Sequence, residues 1–223
     1  MGKLYLIPTP VGNMEDITLR ALRLLKEVDL VLAEDTRTSA KLLKHYEITT
    51  PLLSHHKFNE HATVKMVAES IAAGRNAALV SDAGTPIISD PGDTLVRRAA
   101  EEGIDAVPVP GACAAISALT VSAISAERFV FFGFLPKEKQ EYKSAVLEVA
   151  ACRMTAVVYE SPHRLKETLE AFANEMGEKF LDNLGYDLQG FTLSHSGNDS
   201  KKFRVEYRYY INDLPTSEKL AVY

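Results

Sequence analysis

Along the first 110 residues, short apolar runs alternate with longer stretches in which apolar side chains recur every three or four positions. Lys3 to Pro8 (KLYLIP) is a short apolar run stopped by Pro-Thr-Pro-Val-Gly-Asn, which predicts a strand ending in a rigid loop. Ile17, Leu19, Leu22, Leu24, Leu25 and Val28 then share helical spacing, and Asp16 with Thr18 supplies capping groups for a helix beginning at Asp16. Leu30 to Ala33 (LVLA) predicts a buried strand, with Glu34-Asp-Thr-Arg37 directly behind it. Asn59 can cap a helix whose Val64, Val67, Ala68 and Ile71 form one face and which Gly74 ends; Ala77 to Val80 is a strand. After the loop Ser81 to Gly92, a helix over about Thr94 to Glu102 closes at Gly103, and Asp105 to Val109 is a strand running into Pro110-Gly111. Such alternation of strand and helix predicts a parallel sheet wrapped by helices.

Beyond Ala112 a helix of small residues (Ala112 to Ile124) leads to the aromatic strand Phe129 to Phe134. A helix near Lys139 to Ala151, a strand Thr155 to Tyr159 and a helix Pro162 to Met176 make a second α/β half. The predicted division is therefore 1–112 and 113–223, with the boundary near residues 111 to 117. From about Phe180 the character changes. Phe203-Arg-Val-Glu-Tyr-Arg-Tyr alternates at period two, as a half-buried antiparallel strand does, and Phe191 to His195 can pair with it across Ser196 to Asp199. The expected fold class is α/β in two domains, an N-terminal parallel sheet with flanking helices and a C-terminal mixed sheet with helices.

Composition narrows the class. A chain that is 46% hydrophobic and 25% charged can bury a core, so disorder is excluded as its main state. No apolar run reaches membrane-spanning length, and MGKLYLIPTPVGN lacks the features of a signal peptide, which predicts a cytoplasmic protein. Cys113 and Cys152 sit in stretches that read as buried helix, without metal-ligand spacing, so neither a disulfide scaffold nor structural zinc is expected. Lys and Arg number 25 against 30 Asp and Glu, a net charge of −5. That sign argues against sequence-blind polyanion binding and leaves room for a local basic cleft.

In an open parallel sheet, ligands gather beyond the carboxyl ends of the strands. Four Gly/Pro-dense or polar loops fall there: Pro8 to Asn13, Glu34 to Thr38, Ser81 to Gly92 and Pro110 to Ala112. Pro and Gly also simply turn a chain, and Asp82 and Asp90 can make Asx-turns, yet four such loops on one edge point to recognition of a small polar molecule. Neither GxGxxG after a strand nor GxxxxGK[ST] occurs, which removes dinucleotide and P-loop chemistry. His55-His-Lys-Phe-Asn-Glu-His61 lacks HExxH spacing and precedes a helix, so it reads as a solvated or substrate-facing cluster, with no metal expected. Glu160-Ser-Pro-His-Arg164 follows an apolar strand and opens a helix with Ser161 as cap and Pro162 as first residue; His163 and Arg164 there can hold a phosphate.

Six motifs in order carry a resemblance: Leu6-Ile-Pro-Thr-Pro-Val-Gly-Asn13, Ala33-Glu-Asp-Thr-Arg37, His55-His-Lys-Phe-Asn-Glu60, Ser81-Asp-Ala-Gly-Thr-Pro86 with Ser89-Asp-Pro-Gly92, Phe132-Gly-Phe-Leu-Pro136 and Glu160-Ser-Pro-His-Arg164. Together they resemble the 16S rRNA (cytidine-2′-O)-methyltransferases of the tetrapyrrole-methylase superfamily. The resemblance implies two α/β domains of tetrapyrrole-methylase type and S-adenosylmethionine as cofactor. It also implies methylation of a cytidine ribose in the decoding centre of 16S rRNA or the small ribosomal subunit, by a homodimer. Pro10, Asp82, Ala83, Gly84, Ile87, Ala112 and Ala115 match its cofactor positions. Asp35 and Glu160 are candidate bases or hydroxyl-orienting groups, and Arg37, His56, Asn59, Glu60, His163 and Arg164 are candidate substrate contacts. The chain departs from the family at Ala123, where Gly is usual, at Cys113, where Ser is usual, and after about Gly177. Other readings of the same residues are a precorrin-type tetrapyrrole methyltransferase, a catalytically silent RNA-binding assembly protein, and an α/β ligand-binding protein without a transfer step.

Overall fold

Strand β1 (Lys3–Ile7) is apolar at successive positions because both of its faces are covered. In the computed structural model it lies within a five-stranded, wholly parallel sheet with β2 (Leu30–Ala33), β3 (Leu52–Ser54), β4 (Ala77–Val80) and β5 (Asp105–Pro108), in the order β3-β2-β4-β1-β5. The structure describes residues 1–56, 60–176, 193–195, 203–205 and 220–222, with side chains for 1–56 and 63–175. Leu4 stands opposite Ala77 and Ala106, and Val31 opposite Ala78 and Leu52.

Successive side chains on each strand point to opposite faces and build two cores. Ile7, Val31, Ala33, Ala78 and Val80 pack with Ala21, Leu24 and Leu25 of α1 (Leu19–Glu27) and Leu43 of α2 (Thr36–His45). Leu4, Leu32, Ala77 and Leu79 pack with Val67, Ala68 and Ile71 of α3 (Glu60–Ala72) and Leu95 and Ala99 of α4 (Asp93–Glu101). Each fully buried Leu, Ile or Val among them contributes about 1.5 to 3 kcal/mol relative to exposure.

The first sheet departs from the sequence pattern in two places. The first helix starts at Leu19, not Asp16: Asn13 accepts from the Glu15 N–H and draws Met14–Asp16 into a separate 3-10 turn. Thr18 then caps α1 by accepting from the Ala21 N–H at 3.1 Å. The expected loop Glu34 to Thr38 is largely the start of α2, followed by the three-residue strand β3. Only Ser39, Leu42 and Leu43 of α2 are buried, and one of them is polar, so its period is weak in the sequence. The Asn59 cap lies outside the described residues.

The chain divides into two compact units, Met1–Ser117 and Ala118–Tyr223, the division falling within α5 (Ala114–Val121). In the second, β6 (Phe129–Phe134), β7 (Thr155–Tyr159) and β10 (Leu220–Val222) pair in parallel in the order β10-β7-β6. The strands β8 (Leu193–His195) and β9 (Phe203–Val205) pair antiparallel, Leu193 opposite Val205, as the period-two pattern led one to expect; their turn lies outside the described residues. Parallel and antiparallel pairing thus both occur, in separate ladders. Val146 and Val149 of α6 (Lys139–Ala150) and Phe172 of α7 (Leu165–Met176) pack with Ala156 and Val158 of β7. The cysteines differ from expectation: Cys113 precedes α5 and Cys152 follows the α6 cap, and both are free and partly exposed. Among the described residues no helix is long and apolar enough to cross a membrane.

Just beyond α5, Ala123 has φ 56, the left-handed conformation in which Cβ crowds the backbone, and the family pattern has Gly here. Its exposed methyl packs on little, so Ala123→Gly should stabilise the fold by about 0.5 to 1 kcal/mol. Thermal unfolding of the two proteins checks this, and a lower melting temperature would contradict it.

Candidate functional site

Strands β1 and β4 are neighbours whose onward connections run in opposite directions, β1 through α1 to β2 and β4 through α4 to β5. In open parallel sheets ligands gather beyond the carboxyl edge at such a switch point. The loops there are Pro8 to Asn13 and Ser81 to Gly92. Thr9 and Gly84 bridge them in antiparallel fashion, each N–H donating to the other's carbonyl, at 2.9 and 3.0 Å. The Thr9 hydroxyl donates to the Ser81 carbonyl at 3.0 Å, and the Ser81 hydroxyl to the Gly84 carbonyl at 2.8 Å. Thr85 brings in the third loop, donating to the Ala112 carbonyl at 3.0 Å. Gly111 lies so close to Pro8 that a Cβ there would sit 2.8 Å from the proline Cβ.

Pro10, Asp82, Ala83, Gly84, Ile87 and Ala112, expected from the family pattern to touch a cofactor, all lie on these three loops. Ala115 is buried on the first turn of α5. Asp82 and Ala83 are exposed, Gly84 is buried, and Pro10, Ile87 and Ala112 are half-buried.

Carboxylates gather on the same edge. Asp35 caps α2, accepting the Arg37 N–H at 2.8 Å, while the Arg37 guanidinium clasps it with Nε at 3.0 Å and Nη2 at 2.7 Å. Those bonds hold the Asp35 carboxyl down to about 2. Asp82 Oδ1 accepts the Asp35 N–H at 3.2 Å, tying the β2 loop to the β4 loop. Burial, and then the charge of Asp35, raise its pKa against that hydrogen bond and Arg37. Asp90 is pushed up to about 6 by burial first and by Glu34 and Asp82 next. Asp35, one of the two candidate bases or hydroxyl-orienting groups, is therefore the weakest base of these three carboxylates. Asp90, which the sequence offered only as a turn-former, carries the basicity suited to neutral pH. The signal that could have found it was Glu34, Asp82 and Asp90 falling behind two strands of one edge.

The histidine stretch resolves into different surroundings. His55 is fully buried, its N–H donating to the Ala33 carbonyl at 2.8 Å and its Nδ1 lying 2.7 Å from the Thr63 hydroxyl, so it is a core histidine rather than a solvated one. His56 is half-buried; Asn59 lies outside the described residues, and Glu60 is known only as the first residue of α3. Among the described residues no group of three His, Cys, Asp or Glu is arranged to hold a metal ion.

In the second unit, Glu160 Oε1 accepts the Ser161 N–H at 2.7 Å, and Oε2 accepts the Thr168 hydroxyl at 2.7 Å and Arg164 Nη2 at 2.8 Å. Arg164 also donates to the Leu135 and Pro136 carbonyls at 3.2 and 3.4 Å and lies over the Tyr142 ring. Burial raises the Glu160 pKa, but Arg164, Thr168 and Ser161 outweigh it and hold it below the usual value. With its side chain 1% exposed, Glu160 is engaged as a structural anchor rather than poised as a base. Arg164 ties the end of β6 to the start of α7 instead of presenting a phosphate-binding fork. Ser161 accepts the His163 N–H at 3.3 Å as a cap does, yet regular helix begins only at Leu165, one turn later than expected; His163 is exposed.

The chain matches the family model of Tetrapyrrole (Corrin/Porphyrin) Methylases over residues 3–182. It is 48% identical over 180 residues to a ribosomal RNA small subunit methyltransferase I of Halalkalibacterium halodurans, covering 81% of this chain and 62% of that one. It is 45% identical over 203 residues to the protein of the same name from Haemophilus influenzae, covering 91% and 72%. The chain thus spans about 62% of the length of the first of these relatives. Among solved structures, uroporphyrin-III-C-methyltransferase from Thermus thermophilus superposes with a TM-score of 0.54 at 20% identity, over 79% of this chain and 73% of that one, a likeness of fold.

Two measurements follow from these clusters. The folded chain holds the Asp90 proton more tightly than an unfolded chain does, so this residue favours folding below pH about 4 and loses that contribution as pH rises to about 6. Asp90→Asn should therefore stabilise the protein at pH 8 by about 1 kcal/mol, allowing for solvent screening, and by nearly nothing at pH 4. An equal effect at both pH values in thermal melts would show that charge is not the cause. Arg164→Ala strands the buried Glu160 carboxylate and should cost about 2 to 3 kcal/mol in urea denaturation. Unchanged stability would return Arg164 to the substrate face.

Proposed function

The chain belongs to the tetrapyrrole (corrin/porphyrin) methylase family, among the ribosomal RNA small subunit methyltransferase I proteins. On that footing we propose that it transfers a methyl group from S-adenosylmethionine to the ribose 2′-oxygen of a cytidine in the decoding centre of 16S rRNA. The observation that carries this reading is the locked three-loop bank at the β1/β4 switch point, on which six of the seven cofactor positions of the family pattern fall together.

The residues there fit the cofactor. Gly84, at φ 83, leaves a space that a Cβ would fill between Val11 and Ala112, and Glu34, Asp82 and Asp90 complement a positively charged group. When bound, S-adenosylmethionine supplies an electrophilic methyl carbon on a sulfonium. Pro10, Asp82, Ala83, Gly84, Ile87, Ala112 and Ala115 would hold it through backbone groups and short side chains that permit close approach. Asp90, pushed up to about 6 by burial and by Glu34 and Asp82, would be the carboxylate of this edge to assist loss of the ribose hydroxyl proton, whereas Asp35 and Glu160 would serve by fixing Arg37 and Arg164. Arg37 keeps its side chain 86% exposed and available to a phosphate; His56, Asn59, Glu60 and His163 complete the substrate contacts. A net negative chain then meets RNA through a few placed cations rather than a broad basic face. On this reading the protein acts as a cytoplasmic homodimer on rRNA or the small ribosomal subunit.

Labelled S-adenosylmethionine and small subunits lacking the modification provide the test. Label on one cytidine 2′-oxygen is the expected product, and cofactor binding without transfer would overturn the reading. Asp82→Ala should weaken cofactor binding roughly tenfold, measured by calorimetry; unchanged affinity would remove Asp82 from the site.

A further inference from the structure

Beyond the ends of β1, β4 and β5 the sheet ladder stops, yet loop carbonyls remain buried or partly buried and need donors. Three side-chain hydroxyls supply them. Thr9 is 3% exposed and gives its hydroxyl proton to the Ser81 carbonyl. Ser81, 2% exposed, donates to the Gly84 carbonyl, which also accepts the Thr9 N–H and so has both lone pairs filled. Thr85 donates to the Ala112 carbonyl. A trans peptide is planar, so fixing a carbonyl also fixes the direction of the N–H that follows it. The amides of Asp82, Thr85 and Cys113 are therefore aimed by these hydroxyls.

The loop between them is under strain. Ile87 has φ 76 and Ser89 φ 67, conformations costly for a side chain and more so for a β-branched one. Strain of this kind persists only where the surroundings over-determine it. The hydroxyls clamp the beginning of the loop. Its end is clamped by Gly92, at φ 126, packed so tightly that a Cβ would sit 2.4 Å from Leu79 Cδ2. The Thr9 and Thr85 hydroxyls are both spent on backbone carbonyls and so act through the backbone.

We propose that Thr9, Ser81 and Thr85 are positioning residues whose hydroxyls lock three loops in advance into the surface that receives the methyl donor, so that binding costs little ordering. This rests on the methyl-donor reading above, and the two are separable. In the whole chain, Thr85→Val keeps shape but removes the donor. Amide hydrogen exchange over residues 81–92 and 110–115 should quicken, and calorimetric affinity for S-adenosylhomocysteine should fall about tenfold, with Thr85→Ser restoring both. Thr9→Val should give the same paired loss, with the Thr9 and Gly84 amides losing protection. Unchanged exchange in both valine variants overturns the proposal, as does failure of serine to restore it. Faster exchange with undiminished affinity also overturns it, since the locking would then not serve the ligand. If wild type fails to bind S-adenosylhomocysteine while Thr85→Val still frees the loops, the lock stands and the methyl-donor reading falls.

Discussion

Where a parallel sheet ends, its backbone must find partners that the next strand no longer supplies, and the antiparallel bridge between Thr9 and Gly84 is how this chain meets that demand. It joins the two loops that leave the sheet in opposite directions, and so turns a topological gap into a surface with fixed carbonyls and amides. Gly111 against Pro8, and the Thr85 to Ala112 bond, depend on the same closure. Without it the twelve residues from Ser81 to Gly92 would have no reason to hold two strained non-glycine conformations.

Two carboxylate–guanidinium pairs, each beside a helix start, do different work because their exposure differs. Asp35 and Arg37 lie two residues apart at the start of α2, with the arginine in water, so the pair sets a cap and leaves a cation facing outward. Glu160 and Arg164 sit at the start of α7 with the carboxylate enclosed, so every polar atom must be matched, and the arginine is used up on Glu160, Leu135 and Pro136. Similar sequence chemistry thus yields an available charge in one unit and a structural fastening in the other. Asp90 gains its basicity from neither kind of pairing, but from burial near other acids.

The sequence alone made much of this legible. Strands covered on both faces read as unbroken apolar runs, so β1, β2, β4 and β7 stood out within a residue or so, and helices with an aliphatic stripe, such as α4 and α6, were equally plain, while the start of α1 was masked by the 3-10 turn before it. Gly and Pro marked the loops of the carboxyl edge because turns and close approach need them. What stayed hidden was α2, whose buried face includes a serine, and β3, three residues long and at the sheet edge.

Local patterning therefore determined the α/β class, most elements and the loops that could hold a ligand, because those depend on period, capping and turn chemistry within a few residues. Tertiary structure decided the strand order, the burial of His55, the engagement of Arg164 with carbonyls 28 and 29 residues away, and the raised pKa of Asp90. Each of these depends on distance through space and on exclusion of water, and neither is fixed until segments remote in the chain have packed together.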